Sequence, residues 1–222
     1  IDDLVAGVDE NGRPYSDAMI MSGIAGAYFA GMDTVASTLS FMLYSALKVP
    51  GLLERLHAEI DGVWESEGGL TPAALRKMDV LHATALETLR LYPIAPFTPR
   101  TSTKAFEFEG YTVPAGSEVY VANGIPHLLP EFFPDPEVFD VDRYARPDQP
   151  KTPHAFAPFS LGAHTCLGAG AAEVQMMTLI ATLLRTAQLG LGQPNEVTIF
   201  ANPLPNPGRE FAFRFDGMRK PL

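Results

Sequence analysis

A chain of 222 residues that is 46 % hydrophobic and 19 % charged, with mean hydropathy +0.06, has the balance of a packed globular protein and excludes a disordered one. Its 16 basic and 26 acidic side chains leave a net charge of −10, so no basic field collects phosphate and no nucleic-acid partner is expected. One cysteine cannot close an internal disulfide, the histidines at 57, 82, 127, 154 and 164 never fall at H-x-x-x-H or H-x-H spacing, and no uncharged apolar run reaches the ~20 residues of a membrane span, Ala18 to Ala30 coming closest. No signal peptide precedes Ile1, and the expectation is a soluble, cytoplasmic protein without a zinc site, a membrane anchor outside these residues being left open.

In chain order, Ser16 and Asp17 after Arg13-Pro14 form a capping pattern that opens a stretch free of proline until Pro50. Some 30 residues at ~1.5 Å rise predict a helix roughly 45 Å long. Ile20, Ile24, Tyr28, Val35, Leu39 and Met42 lie on one side and Gly23, Ala27, Ala30, Gly31, Thr34 and Thr38 on the other, which predicts burial all round. After Pro50-Gly51, Leu52, Leu53, Leu56, Ile60, Val63 and Trp64 predict an amphipathic helix. Thr71-Pro72 caps a short turn, and a third helix is predicted from about Asp79 to Leu91, ended by Pro93.

The texture then changes. Phe106 to Phe108, Tyr111 to Val113 and Glu118 to Val121 alternate around turn residues and predict one small sheet. Prolines 126, 130, 134, 136, 147, 150, 153 and 158 leave little continuous helix or strand, so this long loop should be functional or packed as structure. A last helix is predicted from near Leu167 to about Gln188, and Glu196 to Ala201 with Glu210 to Phe215 suggest a terminal hairpin. The fold class is mainly α with small accessory β sheets, and residues 1–222 show no repeat and no linker.

Three constellations carry chemistry. Cys166 lies just before a predicted helix, where unpaired N–H groups and the positive dipole end stabilise a thiolate, while Gly162 and Gly168 let backbone approach a flat partner. The alternative is a small buried hydrophobe. Ala30, Gly31 and Thr34 share a helix face that either accommodates a small ligand beside a hydroxyl or packs closely against another element; Asp33, in an apolar helix, must be bonded or used for proton traffic. Glu87 and Arg90 stand at i and i+3 on a leucine-rich helix, as a solvated pair or a buried one.

The pattern Phe159-x-x-Gly162-x-x-x-Cys166-x-Gly168 resembles the cysteine-ligand loop of the cytochrome P-450 superfamily, the haem-thiolate monooxygenases. Ala30-Gly31-Met32-Asp33-Thr34 resembles that family's oxygen-binding helix motif and Glu87-Thr88-Leu89-Arg90 its E-x-x-R, in the family's order and spacing. The resemblance covers essentially all of this chain but only the C-terminal half of the family's fold.

The resemblance implies haem b on the Cys166 thiolate, propionates held by Arg100 and His164, and contacts from Phe159, Gly162 and Gly168 on one side and Ala30 and Gly31 on the other. For His164 the alternative is an exposed loop histidine. Thr34 and Asp33 are implied to steer protons to the distal oxygen. Ala27, Ile94, Ala95 and Phe97 are implied to line the substrate side, simple hydrophobic packing being the alternative for residues 94–97. Glu87, Arg90 and Arg143 are implied to form a structural triad, and His127 is read as structural. The implied reaction inserts one oxygen atom from O2 into a small apolar organic substrate, with electrons from a ferredoxin or flavoprotein reductase. Two other readings stand beside it: an incomplete or non-catalytic haem-binding fragment, and a haem-thiolate peroxygenase or isomerase, against which Thr34 with Asp33 counts. Ser160, Leu128 and Gln175 depart from the usual glycine, arginine and glutamate.

Overall fold

The structure, a computed structural model, describes residues 2–147, 152, 154–193, 195–201 and 204–222, so Pro150 and Pro153 of the proline-rich loop lie outside the described residues. The helices are α1 (Asp2–Val5), α2 (Asp17–Lys48), α3 (Leu52–Glu67), α4 (Pro72–Leu75), α5 (Asp79–Leu91) and α6 (Ala169–Thr186). Local chemistry sets their ends. The Ser16 hydroxyl accepts the Met19 N–H at 3.3 Å, the Thr71 hydroxyl accepts that of Ala74 at 3.1 Å, and Gly68 closes α3 in the left-handed conformation. Helix α5 has no side-chain cap of its own, and Glu59 of α3 supplies one by accepting the N–H groups of Val80 and Leu81 at 2.7 and 2.9 Å.

The core forms where four helices meet. Met42, Leu43 and Ala46 of α2 pack with Leu52, Leu56 and Ile60 of α3, Leu81, Ala85 and Leu89 of α5, and Met176, Ile180 and Leu184 of α6. Each fully buried leucine or isoleucine contributes about 2 kcal/mol by leaving water.

The expectation that α2 is buried all round is overturned. Its buried residues are Thr38 and 41–46, whereas Tyr28 and Phe29 are 65 % and 64 % exposed and Met19, Met21 and Met32 are exposed with them. All-round apolarity shows that a helix needs cover without showing what supplies it, and among the described residues this half is covered only in part, Leu4 of α1 lying beside Gly23. An apolar groove of about 690 Å³ runs between α2 and α6, lined by Ala27, Tyr28, Gly31, Val35, Val174 and Thr178. No single helix among the described residues is long and apolar enough to cross a membrane.

The strands are β1 (Thr98–Thr101), β2 (Phe106–Phe108), β3 (Tyr111–Val113), β4 (Glu118–Val121), β5 (Ala187–Leu191), β6 (Phe200–Ala201), β7 (Pro205–Asn206) and β8 (Phe213–Met218). They form antiparallel pairs rather than the predicted sheet: β2 with β3, and β1 with β4. The turn at residues 114–117 is closed onto Ser102, whose hydroxyl donates to the Pro114 carbonyl at 2.7 Å and accepts the Ser117 N–H at 3.0 Å, and this steers β4 onto β1. The predicted terminal hairpin is also replaced. Helix α6 ends at Thr186, β5 pairs with β8, and β6 pairs with β7. A Cβ at Gly192 would stand 2.6 Å from the Ala212 carbonyl oxygen, so the close approach that continues the β5–β8 pair requires glycine.

The proline-rich segment is organised by a buried ion cluster. Glu87 and Arg90 are wholly buried and Arg143 is 1 % exposed. Arg90 donates through Nε and Nη2 to the two Glu87 oxygens at 2.8 Å each, Arg143 Nε donates to Oε1 at 3.2 Å, the Asp140 N–H to Oε1 at 3.0 Å and the Tyr144 hydroxyl to Oε2 at 3.1 Å. The remaining arginine N–H groups bind the carbonyls of His127, Pro134, Asp135, Pro136 and Val138. Side chains thus replace the ladder that the prolines forbid. Outside the cluster, Arg55 of α3 grips Asp142 through both guanidinium nitrogens at 3.0 and 2.7 Å. Glu87→Ala strands two buried guanidinium groups and should cost roughly 3–5 kcal/mol, read as a lowered denaturation midpoint; an unchanged midpoint contradicts a structural role.

Candidate functional site

Cys166 lies three residues before α6, in a loop whose residues 161–168 are all exposed. Its N–H donates to the Phe159 carbonyl at 2.9 Å, closing the loop, and a tight turn at Gly162–His164 sits at the far end. Phe159 is half-buried against the core and anchors the base. Gly162 has φ +72°, and Ser160 has φ +61°, the left-handed region at the position that departs from glycine. After the exposed Leu167, Gly168 caps α6 and residues 168–172 are no larger than alanine, so the first helical turn carries no bulky side chain. The thiol is exposed, and the buried-hydrophobe alternative for Cys166 fails.

On α2, the Thr34 hydroxyl donates to the Ala30 carbonyl at 2.7 Å, with a longer approach of 3.4 Å to that of Gly31, and the Thr34 carbonyl accepts from Thr38 at 2.8 Å. The Thr34 oxygen keeps acceptor capacity for one further donor. A Cβ at Gly31 meets nothing within 4 Å, so close packing within this chain does not account for that glycine. Asp33 is exposed, against the expectation of a carboxylate enclosed in an apolar helix; the same uncovered half of α2 is the reason. Ala27 and Ala30 are exposed with it.

Arg100 sits on β1 opposite Val119, half-exposed, its Nη1 on the neighbouring Pro99 carbonyl at 2.8 Å and with no carboxylate partner among the described residues. His164 is exposed in the cysteine loop. Between α5 and β1, Ala95 and Phe97 are exposed, whereas Ile94 is only 6 % exposed and packs into the protein. The structure therefore gathers Phe159, Gly162, His164, Cys166 and Gly168 in one loop and Ala27, Ala30, Gly31, Asp33 and Thr34 on one helix, and it joins Glu87, Arg90 and Arg143 in direct contact.

Two residues matter more than their sequence context suggests. Tyr144 is the fifth donor to Glu87; burial, and after it the Glu87 charge, raises its pKa and keeps the phenol protonated to donate. His127 is wholly buried, its carbonyl accepts Arg90 Nη1 at 2.7 Å, and its Nε2 accepts the Ala157 N–H at 3.1 Å. Burial lowers its pKa to about 4, so the ring is neutral near pH 7. Tyr144 follows Arg143 directly, a signal that could have found it; the bond from His127 to residue 157 spans too long a separation to leave one.

The donor chemistry tests whether haem fits. No group of three or more metal-ligating side chains exists among the described residues, so a lone exposed thiol suits only a metal that brings its other ligands with it. The small residues from Gly168 to Ala172, an uncrowded Gly31, the Arg100 guanidinium and the His164 imidazole as a hydrogen-bond donor suit an anionic planar group, and the residues fit. The Cytochrome P-450 family model matches residues 1–206. The chain belongs to the cytochrome P-450 family. The curated relatives include a sterol 14alpha-demethylase from Mycolicibacterium vanbaalenii, 33 % identical over 88 % of this chain and 44 % of the relative. They also include an abscisic acid 8'-hydroxylase from Solanum lycopersicum, 34 % identical over 85 % of this chain and 40 % of the relative. A crystal structure of a cytochrome P-450 haem domain superposes with TM-score 0.86 at 24 % identity, over 98 % of this chain and 48 % of the other. The chain thus spans less than half the length of these relatives, has the fold of the C-terminal part of a P-450, and as a family member takes haem b.

A left-handed conformation costs an L-residue of ordinary type roughly 1–2 kcal/mol, partly offset by glycine's larger unfolded-state entropy, so Ser160→Gly should stabilise by about 0.5–1 kcal/mol. Thermal denaturation checks this, and a destabilised variant contradicts it. A histidine neutral in the fold and protonated when unfolded stabilises fully above its ordinary pKa of about 6.5 and loses that contribution, about 3 kcal/mol, as pH falls toward its folded value. Denaturant unfolding should therefore lose stability between about pH 6.5 and 4 more steeply in the wild type than in His127→Gln, which has no titrating ring.

Proposed function

We propose that this chain is the haem-binding part of a P-450 monooxygenase that inserts one atom of O2 into a small apolar organic substrate, with electrons from a ferredoxin or flavoprotein reductase. The observation that carries the proposal is the exposed Cys166 thiol in a glycine-flanked loop at the start of α6, with no second metal-ligating cluster among the described residues. The uncovered half of α2 supports a site completed by further protein packed on that face. A relative that demethylates a sterol and one that hydroxylates abscisic acid support oxygen insertion at an apolar carbon.

Haem, when bound, supplies the redox-active iron that activates dioxygen and cleaves its O–O bond. Cys166 Sγ would hold it as a thiolate, and Arg100 and His164 would bind its propionates. Phe159 and Gly162 shape the loop around the sulfur, and Gly168 starts the helix without a side chain over it. Thr34 holds a proton at Oγ1 on the Ala30 carbonyl and accepts at the same oxygen, so it orients a hydrogen-bonding ligand beside Ala30 and Gly31. Asp33, on the exposed side, passes protons from solvent towards that hydroxyl. Ala27, Ala95 and Phe97 offer apolar surface to the substrate, with Ile94 behind them. The pairing of Asp33 with Thr34 favours oxygen insertion over peroxygenase or isomerase chemistry.

In the haem-loaded protein, Cys166→Ser should abolish the strongly red-shifted Soret band of the reduced, carbon-monoxide-bound form; a retained band overturns the assignment. Thr34→Ala should keep haem and consume reductant while releasing peroxide in place of product, by about tenfold in product per electron. Asp33→Asn should slow turnover. Unchanged coupling in the first and unchanged rate in the second would return residues 30–34 to a packing role.

A further inference from the structure

The cysteine loop is held almost entirely from its base. Residues 161–168 are exposed, and the buried residues nearest the loop are Ala155 and Ala157. From Ala157 the bonds run in two directions. Forwards, the Ala157 carbonyl accepts the Ser160 N–H at 3.1 Å, and the adjoining Phe159 carbonyl accepts the Cys166 N–H at 2.9 Å. Backwards, the Ala157 N–H ends on His127 Nε2, and the His127 carbonyl ends on Arg90, which grips Glu87. A neutral imidazole that accepts at Nε2 must carry its proton on Nδ1, and Nδ1 finds no partner among the described residues. Filling the space between the rings of Phe133 and Phe156, at 6.2 and 5.3 Å, would not require a nitrogen; accepting the Ala157 amide does. The charged group that faces the ring is Arg90 of α5, which disfavours a second positive charge there; the neutral Tyr144 phenol lies behind Phe156.

We infer that His127 is a positioning residue for Cys166, carrying the fixed geometry of the Glu87 cluster to the base of the cysteine loop through the Ala157 amide. The inference rests on the reading of Cys166 as the thiolate that holds haem. It separates two roles that one buried residue combines: the main-chain carbonyl anchors the residue to Arg90 whatever the side chain, and the imidazole sets the register of residues 157–160. Removing the acceptor leaves the Ala157 N–H buried without its partner, so the strain falls on the loop base rather than on the helical core.

The test uses the haem-loaded protein and the rate at which its reduced, carbon-monoxide-bound form passes from the red-shifted to the unshifted Soret band. His127→Phe fills the space without an acceptor and should speed that conversion by at least about tenfold, the scale of one buried hydrogen bond. His127→Gln places an amide oxygen near the Nε2 position and should restore the rate to within about twofold. A His127→Phe rate within about twofold of wild type, or a His127→Gln rate as fast as His127→Phe, overturns the inference. If His127→Phe does not fold, the wild type decides. Nitrogen chemical shifts in the diamagnetic carbon-monoxide complex should show an Nδ1–H tautomer that does not titrate between about pH 5 and 8, with a slowly exchanging Ala157 amide; an Nε2–H tautomer or a rapidly exchanging amide overturns it. Cys166→Ser distinguishes the two readings. If its red-shifted band persists, the thiolate assignment fails; if that band is lost while His127→Phe converts at the wild-type rate, only the role of His127 fails.

Discussion

A carboxylate removed from water needs donors in place of its hydration shell, and at Glu87 the protein supplies five of them: two from Arg90, one each from Arg143 and Tyr144, and the Asp140 amide. Those donors come from α5 and from the irregular segment beyond β4, so satisfying one buried charge forces two distant stretches of chain together. The arginines carry more N–H groups than Glu87 can accept, and the surplus is absorbed by carbonyls between His127 and Val138. A segment with prolines at 130, 134 and 136 makes only short turn bonds of its own, such as Phe133 to Leu129 and Val138 to Asp135, and the arginines satisfy carbonyls those turns leave over.

The functional loop stands on this arrangement. Its own bonds are few, and its tip is exposed. Such a loop keeps its shape only if its base is rigid, and the base is tied through Ala157 and Phe159 to buried groups. The helix that carries Thr34 is a different kind of structure. Helix α2 is anchored at its C-terminal end among α3, α5 and α6, while its first half projects Tyr28, Phe29 and Met32 without cover. The cysteine loop is thus tied down within this chain, whereas the first half of α2 presents an uncovered apolar surface.

What the residues revealed in advance follows from the range of each interaction. The span of α2, the start of α3 and the end of α5 were legible because Ser16, Pro50-Gly51 and Pro93 act on their immediate neighbours. Strand pairing was not legible: whether β4 turns to β3 or β1 depends on Ser102 bonding across a turn, and the first two residues of β5, Ala187 and Gln188, were read as the end of a helix because its partner β8 is distant in sequence. The cysteine loop and Glu87-x-x-Arg90 were visible as motifs, and Arg143 was reached through resemblance. Tyr144 and the imidazole of His127 were missed as partners because their bonds join residues far apart in sequence. The burial of α2 was misread for a related reason, since hydrophobicity states a need and not the partner that meets it.

The central claim is that the cysteine loop takes its order from the buried Glu87 carboxylate. Hydrogen exchange at the Asp140, Ala157 and Cys166 amides of the haem-loaded protein tests it most directly, compared between wild type and Glu87→Gln, which keeps the side chain's shape and removes its charge. The account predicts that protection falls at all three amides together, by about tenfold or more. Loss of protection at Asp140 alone, with Ala157 and Cys166 unchanged, would show that the loop is held independently and would contradict it.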